Sequence, residues 1–505
     1  MDVLSDLGAG FATVATPGPL LAMLLGVFVG SLVGALPGIG PVGAMAVLLP
    51  LSFSLDPVGG LLMITGIFLG SQYGGSTASI LMNVPGESSS VVTAIDGHEM
   101  TKRGRAGAAL AVAAIGSFVA GTLAIVLLTL AAGPVSDLAL SFAAPEFLAL
   151  TVFALFVLSR LSGGSFSATM VAAALGLMLA TVGVDETSGG VRYTVGVESL
   201  ISGVEITPVA VGLFGVAELM LLVEQRGTVP RLPTVRLREL YPTRAEMRRA
   251  LPAMGRGSVL GFLFGLVPGP GAAVATYASY MLERRVSRHR HEFGHGAVEG
   301  VAGPESANNG SAGGSLVPLL VLGVPFAAPT ALLLAGFTIH GAIPGPLFIE
   351  QEPELFWGLV AGMFLANVAL LVLNLPLVGL FTSLLRIPRD ILVALILLVA
   401  AVGTYAARNS IVDVGWMVAM GVLGYGMVKL GLSRAALMLA FVVAPLMERS
   451  LLQTITLSQD DPGYILGRPL AVTLLVLAVA ALAAPAFLRR RRGRVAERLD
   501  QLADS

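Results

Sequence analysis

The segment Gly34-Ala35-Leu36-Pro37-Gly38-Ile39-Gly40 is repeated later in the chain as Gly265-Leu266-Val267-Pro268-Gly269-Pro270-Gly271. The two central prolines lie 231 residues apart. Farther along, and in the same order, Gly74-Gly75-Ser76 returns as Gly313-Gly314-Ser315, and Val84-Pro85 returns as Val324-Pro325. The chain is therefore predicted to contain two copies of one structural unit.

Each copy carries a Pro-Gly-x-Gly break within an apolar segment. Proline removes a backbone donor and clashes with the preceding helical turn. At membrane depth the freed backbone groups are tolerated only where they are buried in protein or line a wet cavity. A single break of this kind could equally serve close helix packing. The ordered recurrence instead favours a binding site where broken helices of the two halves meet near the bilayer midplane.

The composition indicates a chain that lives in lipid. Of its 505 residues, 55% are hydrophobic and 12% are charged, and the mean hydropathy is +0.86. Apolar runs at 107–132, 165–183, 390–407 and 469–488 are near or above the ~18–20 residues that a helix needs to cross a bilayer. We expect an all-α polytopic membrane protein with about 10–14 transmembrane or re-entrant segments.

Several function classes are excluded by composition and motif. The chain has no cysteine, which excludes disulfides, thiolate metal sites and cysteine nucleophiles. A net charge of −1 argues against nucleic acid as a partner. No Walker A pattern is present, so we expect no ATP hydrolysis by that route. The first apolar run, 19–36, follows no basic n-region and is expected to remain in the mature protein.

Basic residues predict the orientation, because Lys and Arg gather in cytoplasmic loops. Segment 224–256 holds eight arginines, and the tail is also arginine-rich. The acidic stretches around Asp185, Glu350–Glu354 and Asp460–Asp461 should lie outside. We therefore divide the chain into a first membrane repeat (1–223), a basic cytoplasmic loop (224–256), a second membrane repeat (257–488) and a basic cytoplasmic tail (489–505). Since the two repeats are entered from opposite sides, they are predicted to be inverted.

Hydroxyl and amide side chains accompany the breaks in both copies. Unwound carbonyls with Ser, Thr and Asn oxygens suit a small hard cation, and N–H groups at a half-helix start suit a carboxylate. Serine and threonine also bond back to their own helix, so part of the set is expected to be structural. The candidate substrate- and ion-binding residues are Gly38, Gly40, Gly74, Gly75, Ser76, Thr77, Asn83, Pro85, Gly269, Gly271, Asn308, Asn309, Ser311, Gly313, Gly314, Ser315 and Pro325. No catalytic or metal-ligating residue is assigned.

Two motifs and one rival class offer alternatives. His291-Glu292-Phe293-Gly294-His295 fits the H-E-x-x-H pattern of an intramembrane zinc metalloprotease. That site needs both histidines on one helix face and a third ligand, whereas here the motif lies in a basic, glycine-containing stretch. Gly38–Gly43 fits G-x-G-x-x-G, but no strand precedes it. A passive anion channel lined by the same hydroxyls remains the alternative from another class.

Strings along nearly the whole chain resemble the TctA family, the large permease subunit of tripartite tricarboxylate transporters. They are Leu36–Pro41 (LPGIGP), Tyr73–Thr77 (YGGST), Asn83–Glu87 (NVPGE), Ala94–Gly97 (AIDG), Glu292–Gly294 (EFG), Gly296–Ala302 (GAVEGVA), Pro304–Asn309 (PESANN) and Ala312–Leu319 (AGGSLVPL).

The resemblance implies a non-enzymatic importer of citrate-like carboxylates in the bacterial inner membrane. Import would be coupled to Na⁺, or alternatively to H⁺, without another cofactor. The implied partners are a small membrane subunit and a periplasmic solute-binding protein, and the implied mechanism is of the elevator type. Phe326 stands where relatives usually have glycine, and Gly310 stands where alanine is common. A bulky Phe326 beside a helix break favours a dicarboxylate smaller than citrate.

Overall fold

The computed structural model describes residues 3–36, 39–84, 87–161, 165–185, 188–224, 241–374, 376, 389–459, 461 and 463–483. This part of the chain is overwhelmingly helical. Its strands are a two-residue antiparallel pair, Gly183–Val184 with Val191–Arg192, in the register Gly183 opposite Arg192. The predicted all-α fold is confirmed.

Within the described ranges, seven helices are long and apolar enough to cross a membrane. They are Pro17–Gly34, Ala106–Leu140, Ile206–Glu224, Pro353–Leu373, Asp390–Arg408, Ile411–Lys429 and Arg434–Ser458. Shorter apolar helices are Val3–Val14, Gly40–Ser52, Phe166–Ala180, Ala328–Ile339 and Pro469–Ala483. The chain is thus a multi-pass membrane protein that mixes full-length with half-length helices.

The remaining helical elements complete the two repeats and their connections. The α-helices are Pro57–Met82, Ser90–Lys102, Ala144–Leu161, Arg244–Gly265, Gly271–Val286, Glu299–Gly314 and Phe348–Gln351. Short 3₁₀ turns occur at Leu49–Ser52, Glu198–Leu200, Arg290–Glu292 and Tyr464–Gly467. Single π-helical turns occur at Val211–Val216 and Pro318–Leu322.

The first repeat is built on a glycine-packed pair, helices Pro17–Gly34 and Pro57–Met82. A Cβ atom at Gly26, Gly30 or Gly34 would collide with the backbone of the second helix. Glycine at every fourth position places all three on one face of the helix. The two backbones can therefore touch, as small residues allow in membrane helix packing.

The second repeat contains the same pair, made by helices Arg244–Gly265 and Glu299–Gly314. Here Gly257, Gly261 and Gly265 meet the backbone of the second helix, and each lies 231 residues beyond its counterpart in the first repeat. The repeat read from the Pro-Gly strings is thus also a repeat of backbone packing.

The two repeats exchange their long following helices. Helix Ala106–Leu140 follows the first glycine-packed pair but packs on both helices of the second pair. Helix Pro353–Leu373 follows the second pair and packs on both helices of the first. Reciprocal contacts of this kind are what a two-fold relation between halves produces.

The outer helices repeat this reciprocity. Helix Phe166–Ala180 packs on helix Arg434–Ser458, and helix Ile411–Lys429 packs on helix Ile206–Glu224. The largest apolar core joins residues of both repeats, and Phe68, Phe337 and Phe356 are fully buried in it.

The predicted basic loop 224–256 contains a helix start. Residues 225–240 and the tail 489–505 lie outside the described residues, but helix Arg244–Gly265 begins inside this segment with a capping box of Thr243 and Glu246. Its arginines pair with acids: Arg249 contacts Glu299 at 2.7 Å, and Arg256 contacts Glu283 at 2.6 Å. Part of the basic cluster therefore fixes helix positions. The side of the membrane on which it lies stays a prediction.

Candidate functional site

A cavity of about 410 Å³ lies where the breaks of both repeats meet. Its wall includes Ile39–Gly43 after the first Pro-Gly break and Gly269–Ala273 at the equivalent break. Glu87–Ser89 and Phe326–Pro329, which follow the two Val-Pro breaks, line the same space. Four breaks that are far apart in sequence thus contribute to one cavity.

Five helices begin at the wall of this cavity. Their first residues are Gly40, Ser90, Gly271, Ala328 and Arg434. In each case the first residue or the one before it lines the cavity. A helix start presents free backbone N–H groups and about half a positive charge. Five starts around one space make it attractive to an anion.

Three of these helix starts keep their backbone donors free of side-chain caps. The helices that begin at Gly40, Ser90 and Gly271 have no side-chain hydrogen bond at the N-cap. Gly40 has a φ of 59° in the left-handed region, which glycine adopts readily. A Cβ at Gly271 would lie 2.6 Å from the carbonyl oxygen of Phe264. Backbone geometry therefore requires glycine at both starts.

The breaks that precede these starts have matching backbone geometry. Helix Pro57–Met82 ends at Asn83 with a φ of 54°, and the π-helical turn Pro318–Leu322 ends at Gly323 with a φ of 70°. The two left-handed residues lie 240 positions apart. The N–H of Gly269 donates to the carbonyl of Phe326 at 2.8 Å, so the two breaks of the second repeat are joined directly.

One ion pair stands at the cavity wall, between Arg434 and Glu218. The arginine Nη2 lies 2.9 Å from the glutamate Oε2, and the two side chains are 20% and 18% exposed. Arg434 also donates to the carbonyl of Leu213 at 3.2 Å. That carbonyl belongs to the π-helical turn Val211–Val216, and such turns are frequent at functional sites. The pair gives the cavity a fixed guanidinium with an acid that holds it.

Beside the cavity lies a buried polar cluster around Glu305, which is 1% exposed. Its Oε1 accepts hydrogen bonds from Ser76 at 2.7 Å, Ser117 at 3.1 Å and Asn309 at 3.3 Å. Its Oε2 accepts one from Thr93 at 3.2 Å. The glutamate of the second repeat is therefore bound mainly by hydroxyls of the first.

Glu87, which neighbours this cluster, lines the cavity. Asn308 donates to its Oε1 at 2.9 Å. With the amide nitrogen turned toward the carboxylate, Gln72 donates to the same oxygen at 2.9 Å and to Oε2 at 3.2 Å. Two buried amides thus hold an acid at the cavity surface.

The chain matches the model of the Tripartite tricarboxylate transporter TctA family over residues 20–439. It belongs to the TctA family. A 52.8 kDa protein of Agrobacterium vitis, encoded in the TAR-I ttuC′ 3′ region and described as uncharacterized, is 43% identical over 497 residues, which are 98% of this chain and 99% of the relative. A protein of the TAR-II ttuC′ 3′ region of the same organism is 41% identical over 237 residues, covering 46% of this chain and 98% of the relative. No solved structure matches the chain.

The TctA assignment confirms the resemblance and gives the coarse function. The chain is a membrane component of a transporter, and because that transporter is tripartite it works with partner subunits. The family is a family of transporters rather than of enzymes.

The predicted site residues of this TctA protein fall into distinct places. Those in the cavity lining are Gly40, Gly269, Gly271, Ser311 and Ser315. Those in the polar cluster are Ser76, Asn308 and Asn309. Gly74, Gly313 and Gly314 serve helix packing, Thr77 bonds back to Tyr73, and Asn83 is the helix C-cap. A Cβ atom at Gly75 would lie 3.9 Å from the Glu87 side chain. Pro325 is buried and precedes the buried Phe326. Gly38 and Pro85 lie outside the described residues. Which of these bind a ligand stays a prediction.

The candidate residues predicted from the sequence include none of the charged residues at and beside the cavity. Glu87 and Glu305 stand inside the strings NVPGE and PESANN, from which only neutral residues were predicted to bind. Glu218 and Arg434 lie outside every string that carries the resemblance. An acid inside an otherwise apolar or small-residue segment was the available signal.

The H-E-x-x-H stretch does not form a helix with two histidines on one face. Arg290–Glu292 is a 3₁₀ turn, and Gly294 has a φ of 83°. Glu292 pairs with Arg249 at 2.6 Å. In the described part of the chain no group of three or more His, Cys, Asp or Glu could hold a metal.

Proposed function

We propose that this TctA protein is the permease subunit of a binding-protein-dependent secondary transporter that imports small organic carboxylates across the bacterial inner membrane. The observation that carries the proposal is the convergence of five helix starts and Arg434 on one cavity. Backbone N–H groups and a guanidinium are the groups that recognise carboxylates. A cavity of about 410 Å³ falls in the size range of small-molecule sites.

The substrate is proposed to be a dicarboxylate or tricarboxylate, with smaller dicarboxylates preferred. Two groups of hydrogen-bond donors are available, the helix starts at Gly40 and Gly271 and the guanidinium of Arg434, which is paired with Glu218. They allow two carboxylates of one molecule to be held at once. The Phe326 side chain lines the cavity at a position where glycine would leave more room. This supports selection against a molecule as large as citrate.

The proposed transport cycle uses the breaks as the moving part. The glycine-packed pairs and the half-helices that follow them would slide as a unit past helices Ile206–Glu224 and Arg434–Ser458, in an elevator motion. In support of this, the cavity is lined both by the breaks and by Phe214, Glu218 and Arg434 of these two helices. Coupling to Na⁺, or alternatively H⁺, would drive the motion.

The proposed partners are a small membrane subunit and a periplasmic solute-binding protein, with the tail 489–505 on the cytoplasmic side. The arginine-rich composition of the tail and of segment 224–256 supports this orientation.

Reconstitution of the whole transporter tests the proposal. Proteoliposomes containing this chain and the small subunit, with the binding protein added outside, are assayed for uptake of radiolabelled succinate, malate and citrate. Uptake that requires an inward Na⁺ gradient is expected, with succinate or malate preferred over citrate. Equal flux with and without any ion gradient would establish a channel instead, and a lack of uptake of all three acids would contradict the carboxylate assignment.

A further inference from the structure

Glu305 and Glu87 are two carboxylates whose partners in the described residues are all neutral. Glu305 is bound by Ser76, Thr93, Ser117 and Asn309, and Glu87 by Gln72 and Asn308. Removing an ionised carboxylate from water is strongly unfavourable unless a positive charge compensates it. Among the other buried acids, Glu283 is bound to Arg256, Glu146 to Arg468 and Glu299 to Arg249. Asp96 is instead held by the backbone N–H groups of Gly294, Gly296 and Ala297.

The two carboxylates are held by the same pair of helices, one turn apart. Gln72 and Ser76 lie four residues apart on helix Pro57–Met82, which places them on one face about 5.4 Å apart along the axis. Gln72 reaches Glu87 and Ser76 reaches Glu305. Two adjacent residues of helix Glu299–Gly314 bind the same two carboxylates. Asn308 donates to Glu87, and Asn309 donates to Glu305.

An unused acceptor belongs to Asn308, one of the amides that hold Glu87. Asn308 is fully buried, and its Oδ1 has no hydrogen-bond partner although its Nδ2 is bound to Glu87. Oδ1 is attached to the same carbon as the Nδ2 that donates to Glu87. A buried oxygen with nothing to accept from is expected to meet a cation or another donor.

We propose that Glu305, Glu87 and the Oδ1 of Asn308 form a binding site for a monovalent hard cation, Na⁺, reached from the cavity by way of Glu87. Carboxylate, amide and hydroxyl oxygens are the ligands that hard cations prefer. A divalent centre is not indicated, because no group of three acids or histidines occurs in the described residues. Glu305 already accepts four hydrogen bonds, and a protonated acid would bring a donor where donors are already in excess.

Under the proposed function this cation is the coupling ion, and the site would explain how coupling arises. The carboxylates come from the two different repeats, so a bound Na⁺ would join the half-helix start at Ser90 to helix Glu299–Gly314. The cation would also add positive charge next to the cavity wall. An anionic substrate and Na⁺ would then bind cooperatively, because each lowers the electrostatic cost of the other.

Direct ²²Na⁺ binding tests the site without any carboxylate substrate. The purified full-length chain in detergent is titrated with ²²Na⁺ at constant pH and ionic strength. We expect saturable binding that falls about tenfold or more in Glu305→Gln and Glu87→Gln, because each removes a charged ligand. The matched control is Glu146→Gln, which neutralises a buried acid that already has Arg468 as its partner and should bind like the parent.

The outcomes separate this site from the proposed function. Absence of saturable ²²Na⁺ binding in the parent, or unchanged binding in both variants, would overturn the site while leaving carboxylate transport untouched. If Glu305→Gln does not fold, Glu87→Gln, which lies at the cavity surface, decides. A parent protein that binds Na⁺ but takes up no carboxylate in the reconstituted transporter would instead contradict the proposed function alone.

Discussion

At the scale of single residues, Arg434 is the side chain on which recognition of the substrate's negative charge should depend most. It is the first residue of its helix, where a positive charge is unfavourable with respect to the helix dipole, and Glu218 compensates it. A carboxylate bound in the cavity would take over part of that compensation. We therefore expect Arg434 to serve substrate binding rather than the stability of its helix.

Arg434→Gln is expected to raise the KM for succinate about 10- to 100-fold, since a hydrogen bond to a charged group contributes about 1.5–3 kcal/mol. Arg434→Lys should recover part of this loss. The matched control is Arg408→Gln, which removes an arginine paired with Glu205 outside the cavity lining. Uptake kinetics in proteoliposomes measure all three, and an unchanged KM in Arg434→Gln would contradict the role.

Phe326 is the second residue whose change should alter specificity rather than stability alone. Its ring is buried at the cavity wall beside the Gly269 break. Phe326→Ala enlarges the cavity, and we expect the ratio of citrate to succinate uptake to rise about tenfold or more. One added or missing group in a pocket typically changes discrimination about 10- to 200-fold. A ratio that does not move, in a variant with the parent's unfolding temperature, would show that Phe326 does not set substrate size.

At the scale of elements, the sequence predicted the breaks but not the side chains that surround them. Proline and glycine act locally, so Pro-Gly-x-Gly and its repeat were visible without knowing any contact. The pairing of Glu305 with Ser76, 229 residues away, depends on which helix faces which. The same holds for Arg434 with Glu218. Contacts of this kind follow no periodicity in the sequence, so the sequence does not predict them.

The glycine-packed pairs provide a prediction at this scale. Gly261→Ala places a Cβ against the backbone of Ala307, where nothing flexible can yield. We expect it to destabilise the protein by about 1–3 kcal/mol, as overpacked cores do. Gly255→Ala, on the same helix with nothing within 4 Å of its Cβ position, should be neutral or stabilise by up to about 1 kcal/mol.

Thermal unfolding of the purified chain in detergent measures both glycine variants. Equal unfolding temperatures for Gly261→Ala and Gly255→Ala would mean that the two backbones do not touch at Gly261.

At the scale of the whole molecule, the two repeats exchange their long helices, and residues of both line one cavity. The absence of cysteine from the chain makes its orientation directly measurable. A single cysteine in place of Ser505 should react with an impermeant maleimide only from the cytoplasmic side. A cysteine at the exposed Glu352 should react only from outside. Labelling of both from the same side would contradict the orientation that the arginine-rich segments predict.

We propose that a small carboxylate binds among the helix starts that surround the cavity. The most direct test is protection of a single cysteine at Ala328, which lines the cavity, from alkylation by a maleimide in the reconstituted protein. We expect succinate to slow alkylation of Ala328→Cys, Arg434→Gln to abolish this protection, and a cysteine at the exposed Ser199 to be unaffected. Alkylation of Ala328→Cys at the same rate with and without succinate, malate or citrate would contradict it.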